Sequence, residues 1–187
     1  MTKIGIIVGS TRPGRRALEV AQWVHTHASK RDDAEFELVD LQDYQLPLLD
    51  EAVPASMGQY ANEHTKRWAA KVAELDGYVF VTPEYNHSTT GALKNALDFV
   101  YNEWNNKAAG FVSYGSAGGV RAVEHLRLIM GELQVADVRA QVALSLFTDF
   151  ENFQHFTPAS HHEETLTTML DQLVAWSRAL KAVRQSA

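Results

Sequence analysis

Ile4-Gly5-Ile6-Ile7-Val8-Gly9-Ser10-Thr11-Arg12-Pro13-Gly14-Arg15-Arg16 is the stretch on which the reading of the fold turns. Its first half is a short, mostly β-branched run without polar alternation, which suits a strand buried on both faces. Gly9-Ser10 ends the run, and the residues from Ala17 onward take up a helical period, with Ala17, Ala21, Val24 and Ala28 on one face. The stretch is therefore a strand, a polar corner and a helix.

The same unit recurs along the chain. Apolar runs at Phe36–Val39, Tyr78–Val81, Ala109–Val112 and Val138–Leu146 predict four more strands. The spacers carry helical stripes: Ala61, Trp68, Val72 and Leu75 in one, Val123, Leu126, Met130 and Leu133 in another. Leu166, Met169, Leu170, Leu173, Trp176, Leu180 and Val183 predict a closing amphipathic helix. Strand and helix alternating in this way imply parallel βαβ units with right-handed crossovers. The expected fold is α/β: a three-layer doubly wound sandwich with a five-stranded parallel sheet in the flavodoxin-like order 2-1-3-4-5, as one domain over residues 1–187. In such a sheet ligands bind beyond the carboxyl ends of the strands, where the winding direction reverses.

Composition narrows the function. The 187 residues are 45% apolar and 21% charged, as in ordinary soluble domains, and include no cysteine. Thiolate nucleophiles, disulfides, iron–sulfur clusters and Cys-ligated zinc are thereby excluded, and a reducing, cytoplasmic setting is expected. The net charge of −6 argues against nucleic acid as a partner, and no apolar run approaches a membrane span.

Three loops at the expected ligand edge carry unusual chemistry. The first, Gly9 to Arg16, offers hydroxyls, three arginines and a helix N-terminus, a combination suited to a terminal phosphate. It lacks both the dinucleotide glycine pattern and the lysine of a P-loop. The second, Thr82-Pro83-Glu84-Tyr85-Asn86-His87-Ser88-Thr89-Thr90-Gly91, leads into a helix read over 92–104, with one of Ser88, Thr89 or Thr90 as its N-cap. The third, Ser113-Tyr114-Gly115-Ser116-Ala117-Gly118-Gly119, has glycines that allow a backbone to approach a flat ligand.

These motifs resemble the NADPH-dependent FMN reductase family, whose flavodoxin-like members include quinone, azo-dye and chromate reductases. The resemblance rests on Gly9 to Arg15, on Pro83 to Ser88 continuing to Gly91, Leu93, Lys94, Asn95 and Asp98, and on Gly115 to Gly119. It implies FMN as cofactor and NADPH or NADH as electron donor, with electrons passing to a small acceptor such as a quinone, azo compound, free flavin or metal oxyanion. Carried over by position, it puts Ser10, Arg12, Arg15, Arg16 and Ala17 at the phosphate. Pro83, Glu84, Tyr85 and Asn86 then lie along the flavin ring, with Ser88 nearby and Gly115 beside it. The chain departs from many relatives at Arg15-Arg16 and at Phe99. Because the flavin carries the chemistry, no catalytic side chain and no metal ligand is assigned. A one-electron flavodoxin-type carrier, or an interaction module without cofactor, would fit the same fold.

Several residues outside the motifs carry their own expectations. Asp40 reads as a loop or cap residue, and His87 as a residue on the substrate side. His155, His161 and His162 read as solvated loop histidines. The surplus apolar arc Ala92, Leu93, Ala96, Leu97, Phe99, Val100, Tyr101 and Trp104 suggests a partner helix, hence a homodimer or dimer of dimers. Phe147, Phe150, Phe153 and Phe156, at three-residue spacing, read as a short helical turn with an aromatic stripe that borders the flavin site.

Overall fold

A computed structural model describes residues 1–186. Strands β1 (Lys3–Val8), β2 (Glu35–Asp40), β3 (Gly77–Pro83), β4 (Lys107–Gly115) and β5 (Val135–Ser145) form one sheet in the order β2-β1-β3-β4-β5. Every pairing in it is parallel. The expected architecture is thus the observed one. β3 and β4 at the centre are buried along their whole length, which is why their sequences read as continuous apolar runs.

Helices α1 (Ala17–Ala28) and α6 (His161–Ser186) cover one face, where Val20 and Val24 meet Ile4, Val79, Val112 and Leu173. α2 (Leu41–Tyr44), α3 (Glu63–Glu74), α4 (Gly91–Asp98) and α5 (Val120–Glu132) cover the other. That second core is aromatic: Trp68, Tyr78, Phe80, Phe99, Trp104 and Phe111 are all fully buried. Each such side chain contributes about 1.5–3 kcal/mol by leaving water. The indoles of Trp68 and Trp104 donate to the carbonyls of Ala96 (2.8 Å) and Leu97 (3.3 Å), so their N–H groups are satisfied inside the core.

Four expectations need correction. The helix read over 92–104 ends at Asp98; the chain then turns, and Phe99, Val100 and Trp104 fold under the sheet instead of extending a helix face. The surplus arc is therefore consumed by the chain's own core. The stripe in the third helical segment begins later than read, because Ala61 is exposed and lies before α3. On α6, Trp176 and Val183 are half-exposed and lie outside the buried stripe. Finally, the phenylalanine segment is not helical. It forms a hairpin of β6 (Phe150–Glu151) and β7 (His155–Phe156), with Phe150 buried and Phe147 and Phe153 in solvent. Three-residue spacing suited a helix, but Asn152 and Phe153 both take positive φ (52° and 57°) and reverse the chain between them.

Candidate cofactor site

The carboxyl ends of β1, β3 and β4 converge, because Val8 pairs with Val81 and Pro83 pairs with Tyr114. Their loops enclose an open cavity of about 260 Å³. Arg12, Gly14, Arg15 and Arg16 line it from the first loop, Pro83, Glu84 and Tyr85 from the second, and Tyr114 and Gly115 from the third. Leu146 and Phe153, beyond β5, complete the lining. Seven of the sequence-predicted residues thus share one cavity. Ser10, Ala17, Asn86 and Ser88 are not among the residues that line it.

The first loop is fastened before any ligand arrives. Ser10, almost fully buried, places its hydroxyl 3.2 Å from that of Tyr85 and 3.4 Å from the amide of Arg12. Gly9 donates to Val81 O (2.8 Å), and its carbonyl accepts the hydroxyl of Thr90. Thr90 is also the N-cap of α4, accepting from the amide of Leu93 at 3.0 Å. One threonine therefore locks two of the three loops together.

The three arginines do different things. Arg15 bonds the Ser10 carbonyl (3.0 Å) and pairs with Asp40 at 2.5 Å, both side chains being largely buried. Asp40, as read from sequence, is a cap, accepting from the amide of Gln42. Arg16 makes a looser contact with Glu19 at 3.4 Å. Among the described residues Arg12 forms no ion pair, and it lies exposed in the cavity lining. Beside it, α1 begins without a side-chain cap. Its first amides are oriented to receive an anion.

Tyr114, which the sequence reading quoted but did not assign, sits at this point. Burial raises its hydroxyl pKa, as does the neighbouring Tyr85, while the amides of Ala17 and Arg16 and the charge of Arg12 act in the opposite direction. The phenol therefore stays protonated and can donate to an anion held by those same amides. The sequence signal was its position at the end of a central strand.

The second loop turns sharply at Asn86 and His87, both with positive φ (49° and 67°), and Tyr85 and Ser88 bridge across it. The turn is braced from α5. The Glu84 carboxylate accepts from Arg121 Nε (2.5 Å) and from the Arg121 amide (3.1 Å). Arg121 also donates to His87 Nε2 at 2.9 Å, and His125 lies 2.9 Å from the Ser88 hydroxyl. His87 thus faces Arg121 and is not among the residues lining this cavity.

The third loop uses its glycines for itself. Gly118 and Gly119 have φ of 71° and 73°, and a Cβ on Gly119 would lie 2.7 Å from that of Ser113. Only Gly115 faces the cavity, where a Cβ would come within 3.2 Å of Glu84 Cβ. Of the histidines read as solvated, His162 is buried and lies 3.0 Å from Asp149. Burial works to raise the Asp149 pKa, but the amides of Ala159 and Ser145, together with His162, outweigh it and hold the carboxyl below its usual range. Those bonds tie the β6–β7 hairpin to β5 and α6.

With this geometry in place, likeness to known proteins becomes informative. The NADPH-dependent FMN reductase family matches residues 2–149, a span that contains all three loops. The chain belongs to that family. An NAD(P)H-dependent FMN reductase from a Nectria species is 42% identical over 159 residues, covering 80% of this chain and 79% of that protein. One from Schizosaccharomyces pombe is 41% identical over 149 residues, covering 79% and 74%. In fold, the flavoenzyme NAD(P)H:(acceptor) oxidoreductase of Paracoccus denitrificans superposes with a TM-score of 0.75 over 96% of this chain and 98% of its own, at 21% identity. The reductase is thus an oxidoreductase with FMN as cofactor and NAD(P)H as electron donor.

The donor set fits that cofactor. An unpaired guanidinium and uncapped helix amides suit its phosphate, and the side-chain-free edge at Gly115 between Glu84 and Tyr114 suits a flat ring.

Proposed function

We propose that this cavity holds FMN, with the phosphate at the head of α1 and the ring along Pro83–Tyr85 and Gly115. The single observation that carries the reading is the convergence of Arg12, Arg16, Tyr85, Tyr114 and Gly115 on one open cavity at the carboxyl edge. Arg12 and the amides of Arg16 and Ala17 bind the phosphate, with Ser10 fixing the loop and Arg15 fixed in turn by Asp40. Arg121 holds Glu84, and through it the 84–88 turn, in place.

FMN held there by Arg12 and the amides of Arg16 and Ala17 would supply two-electron transfer between NAD(P)H and an acceptor. The net reaction with a quinone consumes NAD(P)H, one proton and the quinone, and yields NAD(P)⁺ and the hydroquinone. The chain's own part is to bind, orient and leave one side of the site open. No side chain is assigned a proton-transfer role. Small acceptors are the expected substrates: quinones and azo compounds foremost, with free flavins and metal oxyanions also within the class. The names of a Burkholderia 2-hydroxy-1,4-benzoquinone reductase and a staphylococcal azoreductase, 33% and 29% identical to this chain, support that class.

The reading extends to a homodimer or dimer of dimers in the cytoplasm. Exposed Leu48, Leu49 and Met57 support the first, and the absence of cysteine supports the second. No helix among the described residues is long and apolar enough to cross a membrane. The test is reconstitution: the purified chain takes up FMN, turns yellow and oxidises NADPH when a benzoquinone is added. A chain that stays colourless in excess FMN would overturn the reading.

A further inference from the structure

The β6–β7 hairpin turns through Glu151-Asn152-Phe153-Gln154, with the Gln154 amide bonded to Glu151 O at 2.9 Å. Asn152 and Phe153 have φ of 52° and 57°, so both central residues are left-handed. Turns of this kind favour Asn-Gly, because glycine takes positive φ without steric cost. Here the second position holds phenylalanine, one of the side chains least suited to it. The ring is not recovered by the core: Phe153 is 57% exposed, and Phe147, which meets it edge-on at 5.6 Å, is 67% exposed. A strained backbone carrying an exposed aromatic ring marks a side chain kept for something other than folding.

Its position says what that is. Phe153 lines the same cavity as Arg12, Tyr85, Tyr114 and Gly115, on the outer side. The hairpin beneath it is rigidly seated: Phe150 is buried against Tyr114 and Phe156, and Asp149 accepts from the amides of Ser145 (2.8 Å) and Ala159 (3.0 Å). The ring is thus held at the cavity mouth by a fixed support.

We propose that Phe153, braced by Phe147, is a specificity-determining residue whose ring forms an aromatic wall at the cavity mouth and selects flat, conjugated acceptors over compact, non-planar ones. This rests on the reading that the cavity holds FMN. A planar quinone offers its π face or edge to such a wall, whereas an octahedral anion such as ferricyanide has no face to stack.

The experiment uses the FMN-loaded full chain with NADPH as donor, and compares a benzoquinone with ferricyanide. In a two-step cycle, kcat/KM for the acceptor reports only the oxidative half-reaction, so the ratio of the two values isolates the wall. Phe153→Gly should lower the quinone-to-ferricyanide ratio by about fivefold, and Phe153→Tyr should restore it. Because glycine relieves the left-handed strain, Phe153→Gly should melt no lower than the wild type. FMN affinity, read by fluorescence titration, should stay within about twofold. An unchanged ratio, or a lost FMN affinity with the ratio intact, would overturn the wall while leaving the cofactor site standing. A wild-type chain that binds no FMN would overturn both. A fall in the ratio that accompanies dissociation of an oligomer, and that Phe153→Tyr does not restore, would assign the ring to a subunit contact and overturn the wall.

Discussion

At the amino ends of the strands, the Asp76 carboxylate accepts from the Lys3 amide (3.0 Å), Lys181 (2.8 Å) and Arg184 (2.5 Å), while Arg184 also reaches Asn106 O. At the carboxyl ends, Arg12 stands without a carboxylate among the described residues, α1 starts without a side-chain cap, and two turns hold Asn-His and Asn-Phe in left-handed geometry. One end pairs its charges with each other; the other pairs Arg15 with Asp40 and Arg121 with Glu84 but leaves Arg12 available. The difference teaches where binding energy can come from: an anion arriving there meets, in Arg12, a guanidinium that no carboxylate among the described residues has already paired.

That contrast can be broken from either side. The largest effect is expected at the self-satisfied end, where Asp76→Ala strands two cations and an amide. It should lower unfolding free energy by about 3 kcal/mol in urea denaturation, while FMN affinity in the folded fraction is unchanged. Next comes Arg12→Glu, which reverses the free charge and should weaken FMN binding about a hundredfold, with the urea midpoint close to wild type. Arg121→Ala should weaken FMN binding by about tenfold, because the Glu84 carboxylate loses its partner and the 84–88 turn its brace.

The amino end can also be probed through pH at Lys107, buried there with its ammonium on the carbonyls of Val72 (2.6 Å) and Ala73 (3.1 Å). Burial, aided by the charge of Arg184, lowers its pKa to about 7. Between that value and the ordinary lysine value of about 10.4, the unfolded chain binds the proton that the folded chain lacks. Stability contributed by this group therefore rises with pH across that window. Lys107→Met should flatten the rise, as read from urea midpoints measured at intervals from pH 7 to 10.

The sheet order was legible in the sequence because β1, β3 and β4 are buried on both faces and carry unbroken apolar runs. The cavity was legible because strand-to-helix corners concentrate polar residues at one edge, which brought Arg12, Tyr85 and Gly115 together correctly. What escaped were pairings between distant segments. Nothing local shows that Arg15 is held by Asp40, twenty-five positions away, or that Arg121 braces Glu84 across thirty-seven. Nor did it show that His162 is buried on Asp149. Helical period failed at 147–156 because a three-residue spacing of aromatics is also met by a hairpin that buries Phe150 and leaves Phe147 and Phe153 out, and at 99–104 because turns after Asp98 bury Phe99, Val100 and Trp104 without a helix.

The central claim is that the free cation and the uncapped helix at the carboxyl edge bind a phosphate. Titration of the wild-type chain with FMN and with riboflavin, which differ by that phosphate, tests it most directly. The account predicts saturable one-to-one binding of FMN with quenched flavin fluorescence, and riboflavin weaker by about a hundredfold, a difference that Arg12→Glu largely removes. Equal affinity for the two flavins would contradict it.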